Sequence, residues 1–393
     1  MGYVFILGHN PKLSAAEVKA VLVKAAVISE TGSFLIVESD EFDCRELQKR
    51  LGGTIKIGKI LADHIDKDAI VDELKKLKKD NKLNFGLSYY DCPKDNLGME
   101  IKKKLRSAGI SCRLVTSKDK ALSSVVVTKN KVVDFLVLGF RPASPLTPAP
   151  LPSRGEGGVG WLARTCSVQD FEAYGRRDYG RPARDMKSGS MPPKLAQIMI
   201  NLAQTKPGGK ILDPFCGSGT VIQEGILSGQ EMVGSDISAK AVSDSKRNME
   251  WLVANRKSQI ANRYKIFQSD VKELSSKLDK VDAIVTEPYL GPPLRGSENR
   301  KQISEIREKL AELYSAAFFE FKKVLNKNGK VVMVFPSFKI GKEILEVDIT
   351  QEIKKLGFAR EDDGDLIYGR PGQKLWRRIF ILNLLNTKEK GWR

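Results

Sequence analysis

Asp213-Pro-Phe-Cys-Gly-Ser-Gly-Thr220 follows the short run Lys210-Ile211-Leu212 and opens a helix-like segment from Val221 to Leu227. Strand, glycine turn and helix in that order make the first unit of a doubly wound α/β sheet. Gly217 and Gly219 lack a Cβ, so the backbone there can approach a ligand closely and adopt positive φ. About 20 residues further on, Met232-Val233-Gly234 ends in Ser235-Asp236. An acid at that distance, closing the second strand, is placed to accept both hydroxyls of a ribose.

The turn selects among nucleotides. It contains neither G-x-G-x-x-G nor the Gly-Lys-Ser/Thr of a phosphate loop. It begins with an acid, Asp213, where a phosphate-binding turn avoids one. An acidic turn suits a ligand with a cationic amino-acid end and no phosphate, and S-adenosylmethionine fits that description.

A second stretch, Val281-Asp-Ala-Ile-Val-Thr-Glu-Pro-Tyr-Leu-Gly-Pro-Pro293, carries an apolar run at Ala283 to Val285 that predicts a buried parallel strand. It stops at Glu287-Pro288-Tyr289, where the proline cannot continue a ladder. Here the chain resembles the amino-group methyltransferases, whose fourth motif reads Asp/Asn-Pro-Pro-Tyr/Phe. In that family the acid or amide and a nearby backbone carbonyl accept hydrogen bonds from an exocyclic amine, and the aromatic ring stacks on the base. Two acceptors favour the pyramidal, nucleophilic amine, and stacking is how an everted base is commonly held. The resemblance implies Glu287, Pro288 and Tyr289 as catalytic residues. The sequence departs from the motif: Glu replaces Asp, one proline is missing, and Leu290 takes the aromatic's place. The resemblance also implies a cofactor site at Asp213, Phe215, Cys216, Gly217, Ser218, Gly219, Thr220, Asp236, Ile237, Asp270 and Val271, with Asp270 at the end of strand Tyr264–Asp270 facing the adenine amine.

The chain has 393 residues, enough for two or three domains, and a formal net charge of +18. That excess favours a polyanionic partner. Cys44, Cys92, Cys112, Cys166 and Cys216 show no paired spacing and are expected to be free thiols in a reducing compartment. Two histidines and no Cys-x-x-Cys argue against a structural zinc site. No stretch has the apolar length of a membrane span and no signal peptide is evident, so a cytoplasmic location is expected.

Residues 1–60 are expected to form a ferredoxin-like α+β region. Tyr3 to Leu7 is a strand, Ser14 to Glu17 a capping box before Val18, Ala26 to Val37 a hairpin about Thr31-Gly32, and Asp43 to Leu51 a helix. Residues 61–140 predict helix Lys67–Lys79, strand Asn84–Tyr89, helix Asn96–Ala108 and strands at Ser111–Val115, Ser123–Thr128 and Val132–Leu138. With Phe85-Gly-Leu-Ser88, Cys112-Arg-Leu-Val115 and Leu122-Ser-Ser-Val-Val-Val127, this block resembles the THUMP domain of tRNA-modifying enzymes, which grips the acceptor end of tRNA. The resemblance points to Lys102, Lys103, Arg106, Arg113, Lys118 and Lys120 as RNA-binding. Residues 141–160, rich in Pro and Gly, read as a flexible linker or insertion. Residues 161–393 read as the methyltransferase domain. Their first block, from Thr165 through Arg176-Arg-Asp-Tyr-Gly-Arg-Pro-Ala-Arg-Asp185 to a helix with Pro192 and Pro193 in its first turn, resembles the segment before the cofactor motif in tRNA guanosine N2-methyltransferases. There it closes over the methionine end of the cofactor. Arg177, Asp178, Arg181, Arg184 and Asp185 could equally form a structural ion-pair network.

The fold class expected is therefore α/β: a C-terminal Rossmann-like class I methyltransferase with a seven-stranded sheet whose last strand is antiparallel and at the edge, preceded by ferredoxin-like and THUMP-like α+β regions. The resemblance implies methyl transfer to the N2 amine of a guanosine in tRNA, at position ten, and leaves open a small activating protein partner. Two other readings stand beside it: an amino-methyltransferase of adenine or cytosine in DNA, and an inactive RNA-binding protein on a methyltransferase scaffold.

Overall fold

A computed structural model describes residues 1–77, 82–139, 159–184, 191–254, 263–294, 296, 298–341, 343–362, 366–370 and 372–385. The chain divides into two units, Met1–Glu172 and Ala173–Arg393.

The first unit runs β1 (Gly2–Leu7), α1 (Pro11–Val21), β2 (Ala26–Glu30), β3 (Phe34–Glu38), α2 (Cys44–Arg50), β4 (Thr54–His64), α3 (Lys67–Lys76), β5 (Leu83–Tyr90), α4 (Leu97–Ser107), β6 (Cys112–Val115), α5 (Ser124–Lys129), β7 (Val133–Gly139) and β8 (Val159–Val168). Its strands make one eight-stranded sheet in the order β2-β3-β1-β4-β8-β7-β5-β6. The expected boundary at residue 60 therefore falls inside β4, and the sheet passes through it. The boundary expected at 160 also moves. β8 pairs antiparallel with both β4 and β7, so it completes the first sheet and does not begin the second unit. Buried Leu162 and Ala163 explain that placement, because they fill apolar positions between the two neighbouring strands. Most of the expected linker, residues 141–158, lies outside the described residues. A buried ion pair ties this sheet together: Lys56 on β4 donates to Asp134 on β7 at 2.6 Å and to Ser88 on β5 at 3.1 Å. Asp134 also accepts from Thr165 on β8 at 3.0 Å.

Three local expectations in this unit need correction. Ser123–Thr128 is helical, not extended. The Ser123 hydroxyl accepts from the Val126 amide at 3.3 Å and caps α5, a local bond that outweighs the β-branched run. No capping box begins at Ser14, because α1 starts earlier, at Pro11, with Asn10 as its cap. Glu17 instead accepts from the Gly52 and Gly53 amides, each at 2.8 Å, and holds the end of α2. Cys44 and Cys166 are not free thiols: they form a disulfide between α2 and β8, with Cα atoms 6.0 Å apart and a sequence separation of 122. Pairs that distant in sequence leave no spacing pattern to read, and the disulfide removes the argument for a reducing compartment.

The second unit begins within α6 (Phe171–Tyr179) and continues with α7 (Pro193–Leu202), β9 (Lys210–Asp213), α8 (Thr220–Leu227), β10 (Glu231–Asp236), α9 (Ala239–Ala254), β11 (Tyr264–Gln268), β12 (Val281–Thr286), α10 (Arg300–Val324), β13 (Leu325–Ile340), β14 (Glu343–Glu346), α11 (Thr350–Leu356), β15 (Phe358–Arg360), β16 (Ile367–Tyr368) and β17 (Leu375–Leu384). The sheet order is β11-β10-β9-β12-β13-β17-β15, with β14 added to β13 and β16 to β17. β9 to β13 are parallel along this path, and β17 runs antiparallel to β13.

The alternating strand–helix pattern thus gives the expected class I sheet, with one change. β17 is not at the edge: it lies between β13 and β15. Phe358-Ala-Arg360, which supplies the edge, spans only three residues, too short for a periodic signal. Asn328-Gly329 falls within β13. It forms a bend there, with Asn328 at φ +60°. Aromatic packing of Tyr314, Phe318 and Phe321 from α10 against Phe335 and Phe358 fills one face of the sheet. No helix among the described residues is long and apolar enough to cross a membrane.

Candidate active site

The order of chain connection reverses at β9, whose neighbours are β10 on one side and β12 on the other. In open α/β sheets the crevice at such a switch point, beyond the carboxyl ends of the strands, is where ligands bind. Asp213, Asp236 and Thr286 end β9, β10 and β12, and Glu287 follows at once. Three carboxylates therefore share one crevice.

Asp213 is 2% exposed. Burial, against hydrogen bonds from Thr286 and the Phe215 amide and with repulsion from Asp236 and Glu287, pushes its carboxyl up to about 7. Thr286 Oγ1 donates to it at 2.6 Å and the Phe215 amide at 3.3 Å. Both donors favour the ionised form but do not overcome desolvation.

The turn after Asp213 is fastened to the end of β10. The Cys216 amide donates to Ser235 O at 2.9 Å, and the Gly217 amide to Asp236 Oδ2 at 3.0 Å. The Ser238 amide donates to Asp236 Oδ1 at 2.9 Å. Each Asp236 oxygen keeps a lone pair for a ligand hydroxyl. Gly217 has φ +50°, and a Cβ there would meet no atom within 4 Å, so this bend faces open space. Gly219 has φ +84°, and a Cβ would come 2.4 Å from Ser245 Oγ. One glycine leaves room beside the backbone and the other is dictated by packing. Ile237, just past Asp236, is exposed, whereas Val271 and Cys216 are buried. β11 stops at Gln268, two residues short of the expected end, and Asp270 caps the 3₁₀ turn Val271–Ser276, accepting from the Lys272 amide at 3.0 Å. The carboxylates of Asp213, Asp236 and Asp270 and the open bend at Gly217 thus lie together along the ends of β9 and β10 and just past β11.

Glu287 is not free. Arg377, on β17, forks onto it, with Nε on Oε2 and Nη2 on Oε1 at 3.1 Å. Burial opposes the charge on Arg377, but the Glu287 carboxylate outweighs it, so the guanidinium ends above its ordinary value. The fork occupies one edge of the carboxylate and leaves a lone pair on each oxygen. Pro288 is buried, and the Tyr289 ring is 56% exposed. The Tyr289 carbonyl accepts from Tyr314 on α10 at 2.7 Å, which pins the turn. Arg377 and Tyr314 escaped the sequence reading because they lie 90 and 25 residues from their partners and belong to no local motif. Thr286 was visible within the motif but its hydrogen bond to Asp213 was not.

The arginine-rich block divides. Arg177 on α6 forks onto Glu224 of α8 at 2.6 and 3.1 Å, a structural pair. Arg184 lies over the Tyr179 ring at 5.1 Å. Arg181 donates to Thr220 Oγ1 at 2.6 Å. Asn248 on α9 joins this block to the turn: it accepts from the Ala183 amide at 2.9 Å and donates to Ala183 O and Ser218 O, each at 2.8 Å. Asp185 lies outside the described residues.

In the first unit, Lys103 and Arg106 are exposed on α4, where Lys102 is half-buried. Arg113 is exposed on β6, an edge strand. Lys118 and Lys120 are exposed in the following loop, with Lys120 Nζ 3.3 Å from Cys92 O.

The model of the RMKL-like methyltransferase domain matches residues 181–358. The chain is 33% identical over 179 residues to the tRNA (guanine(10)-N2)-dimethyltransferase of Methanothermobacter thermautotrophicus, covering 45% of this chain and 47% of that protein. It is 34% identical over 112 residues to the probable tRNA (guanine(10)-N2)-dimethyltransferase of Methanothermococcus thermolithotrophicus, covering 28% of this chain and 68% of that protein. The match thus spans about half the length of the first curated relatives. Among solved structures, TrmN from Thermus thermophilus shares the fold, with a TM-score of 0.51 and 18% identity over 98% of this chain and all of that one.

Proposed function

Because the chain belongs to the tRNA (guanine-N2)-methyltransferase family, we propose that it transfers a methyl group from S-adenosylmethionine to the exocyclic N2 amine of a guanosine in tRNA, at position ten. The observation that carries this reading is the convergence of Asp213, Asp236 and Glu287 at the carboxyl ends of three adjacent parallel strands, beside the exposed ring of Tyr289.

The residues present fit the cofactor. Gly217 leaves open space beside the backbone. The remaining lone pairs of Asp236 accept the ribose hydroxyls, exposed Ile237 offers an apolar surface to the adenine face, and Asp270 accepts from the adenine amine. Asp213 accepts the ammonium of the amino-acid end. Phe215, Cys216, Ser218, Thr220 and Val271 shape the turn and its floor. The cofactor, when bound, supplies an electrophilic methyl on a sulfonium.

The chain's own work is done at the amine. Glu287 holds an N2 hydrogen on an oxygen lone pair that Arg377 leaves open, which draws the nitrogen lone pair out of conjugation and toward the methyl. The Arg377 fork fixes the longer Glu arm, so that one methylene more than Asp does not become one more loose rotamer. Pro288 stiffens the turn, and the Tyr289 ring lies against the everted base. Holding amine and methyl in line is a positioning effect as much as an electrostatic one.

In the first unit, the segment within 61–139 acts as a THUMP-like domain, and residues 1–60 as the ferredoxin-like part of the same sheet. Lys102, Lys103, Arg106, Arg113, Lys118 and Lys120 neutralise tRNA phosphates. The test is incubation with labelled cofactor and either bulk tRNA or duplex DNA, followed by nucleoside mass analysis. N2-methylated guanosine from tRNA is expected. Methylated adenine or cytosine from DNA, or no product with folded protein, contradicts the reading.

A further inference from the structure

A second cavity lies on the other face of the same sheet. Successive side chains of a strand point to opposite faces. Arg377 of β17 reaches Glu287, so its neighbour Arg378, and with it Phe380, faces the other way. These two line a cavity of about 460 Å³ together with Arg307 of α10, Arg360 of β15 and the chain from Ile344 to Thr350. That volume is in the range of small-molecule sites. No residue assigned above to the cofactor or to the target base lines it.

Three guanidiniums meet there, each fixed by the fold. Arg378 pairs with Glu346. Arg360 donates to Asp362 Oδ1 through Nε at 2.9 Å and Nη2 at 2.6 Å, and the Ile381 amide holds the other Asp362 oxygen at 2.7 Å. Arg307 Nε donates to the Glu346 carbonyl at 2.6 Å, and the two terminal nitrogens of Arg307 have no hydrogen-bond partner among the described residues. Asp348 does not take them. The Thr350 hydroxyl and amide come first in keeping its carboxyl below the ordinary value, and Arg307 contributes least. Arg307 is partly buried, so a preorganised cation faces the cavity with a backbone carbonyl in place of a counter-charge. Such a cation favours an anion, and a guanidinium with both amino groups open favours an oxyanion it can fork onto.

The rings show what else the ligand carries. Phe335 and Phe380 stack with centroids 4.4 Å apart, and the Arg360 guanidinium lies 3.6 Å from the Phe380 centroid. Groups that close to one ring must take its opposite faces, so ring, ring and guanidinium form three layers. The Arg360 side chain, 33% exposed, is the outermost. An arginine plane backed by an aromatic ring is a platform on which a nucleobase stacks. A carboxylate or a bare phosphate would engage Arg307 and leave this platform unused. We propose that the cavity binds a nucleotide, with its phosphate on Arg307 and its base on the Arg360 plane. A free nucleotide and an unpaired nucleotide of an RNA chain share that chemistry. The site stands apart from the crevice and takes no part in methyl transfer.

The test is calorimetry on the full-length protein with S-adenosylhomocysteine in excess, so that adenine compounds do not report from the crevice. Adenosine 5′-monophosphate should bind at least about tenfold more tightly than adenosine, which lacks the phosphate, or inorganic phosphate, which lacks the base. Arg307→Gln should weaken the mononucleotide by about tenfold and leave S-adenosylhomocysteine within about twofold, which also shows that the variant is folded. Arg360→Lys keeps the charge and loses the plane, so it should weaken the mononucleotide and leave inorganic phosphate within about twofold. A single-stranded RNA tetranucleotide bound about tenfold more tightly than the mononucleotide, with the same loss in Arg307→Gln, assigns the site to RNA. Equal or weaker binding of the tetranucleotide assigns it to a free nucleotide. The proposal is overturned if the mononucleotide binds no more tightly than inorganic phosphate, if Arg307→Gln leaves its affinity unchanged, or if neither nucleotide probe binds. The comparison of the three small probes needs no variant, so a misfolded substitution does not spare the proposal.

Discussion

Acidifying the solution from pH 7.5 to 5.5 should weaken S-adenosylhomocysteine binding by about 25-fold, through Asp213 alone. Without ligand, burial holds this carboxyl up to about 7. An ammonium beside it would favour the carboxylate, so binding must first remove the proton, and below pH 7 each unit costs about tenfold in affinity. The ratio follows from a free-state pKa of about 7 and a bound-state value well below 5.5. The sign for stability is opposite. The folded-state pKa is above the ordinary 3.8, so the neutral acid stabilises the unliganded fold at low pH. That contribution, about 4 kcal/mol for a shift of about three units, fades as pH rises from near 4 through 7. Asp236 and Glu287 add repulsion to the Asp213 carboxylate, and the number of protons released on binding should approach one. The assay is calorimetry across pH 5.5–8 in two buffers of different ionisation enthalpy, which counts released protons. Asp213→Asn should bind weakly and with no slope. An affinity flat between pH 5.5 and 7.5, or a slope unchanged in Asp213→Asn, would refute the assignment of the ammonium to Asp213.

Three further outcomes are expected. Asp236→Ala removes both the ribose acceptor and the bond that fixes the Gly217 amide, and should abolish cofactor binding measurable by calorimetry; retention within about threefold contradicts its role. Glu287→Ala should leave cofactor affinity within about twofold and lower kcat by about 100- to 10,000-fold, with Arg377→Gln lowering kcat less and also sparing affinity; unmodified turnover in Glu287→Ala shows that the amine is held elsewhere. Cys44→Ser opens a loop of 122 residues and should cost about 2–4 kcal/mol of the stability of the first unit, seen as a lower denaturant midpoint without added reductant. Equal midpoints would mean that the disulfide contributes nothing.

What could be read from the sequence was what is written locally. The strand, glycine turn and helix at 210–227 carry their own geometry, and Asp236 follows at a spacing fixed by one crossover, so the sheet and the crevice were legible together. Glu287 was legible because an apolar strand ends there against a proline. Arg377 was not: β17 returns antiparallel between β13 and β15, and only that long-range pairing brings its guanidinium to Glu287. Arg181 was visible as one of several arginines, but whether it paired with an acid depended on which carboxylates the fold placed near it, and Glu224 went to Arg177. The Ser123–Thr128 helix misled because a run of β-branched residues favours strand until a serine cap overrides it. Cys44 and Cys166, and the short edge strand at Phe358, left no periodic or spacing signal at all.

Nucleoside mass spectrometry of tRNA from cells with and without this protein tests the central claim most directly. Loss of N2-methylated guanosine in its absence, restored by the unmodified chain and not by Glu287→Ala, is the predicted result. An identical modification profile in both cell populations would contradict it.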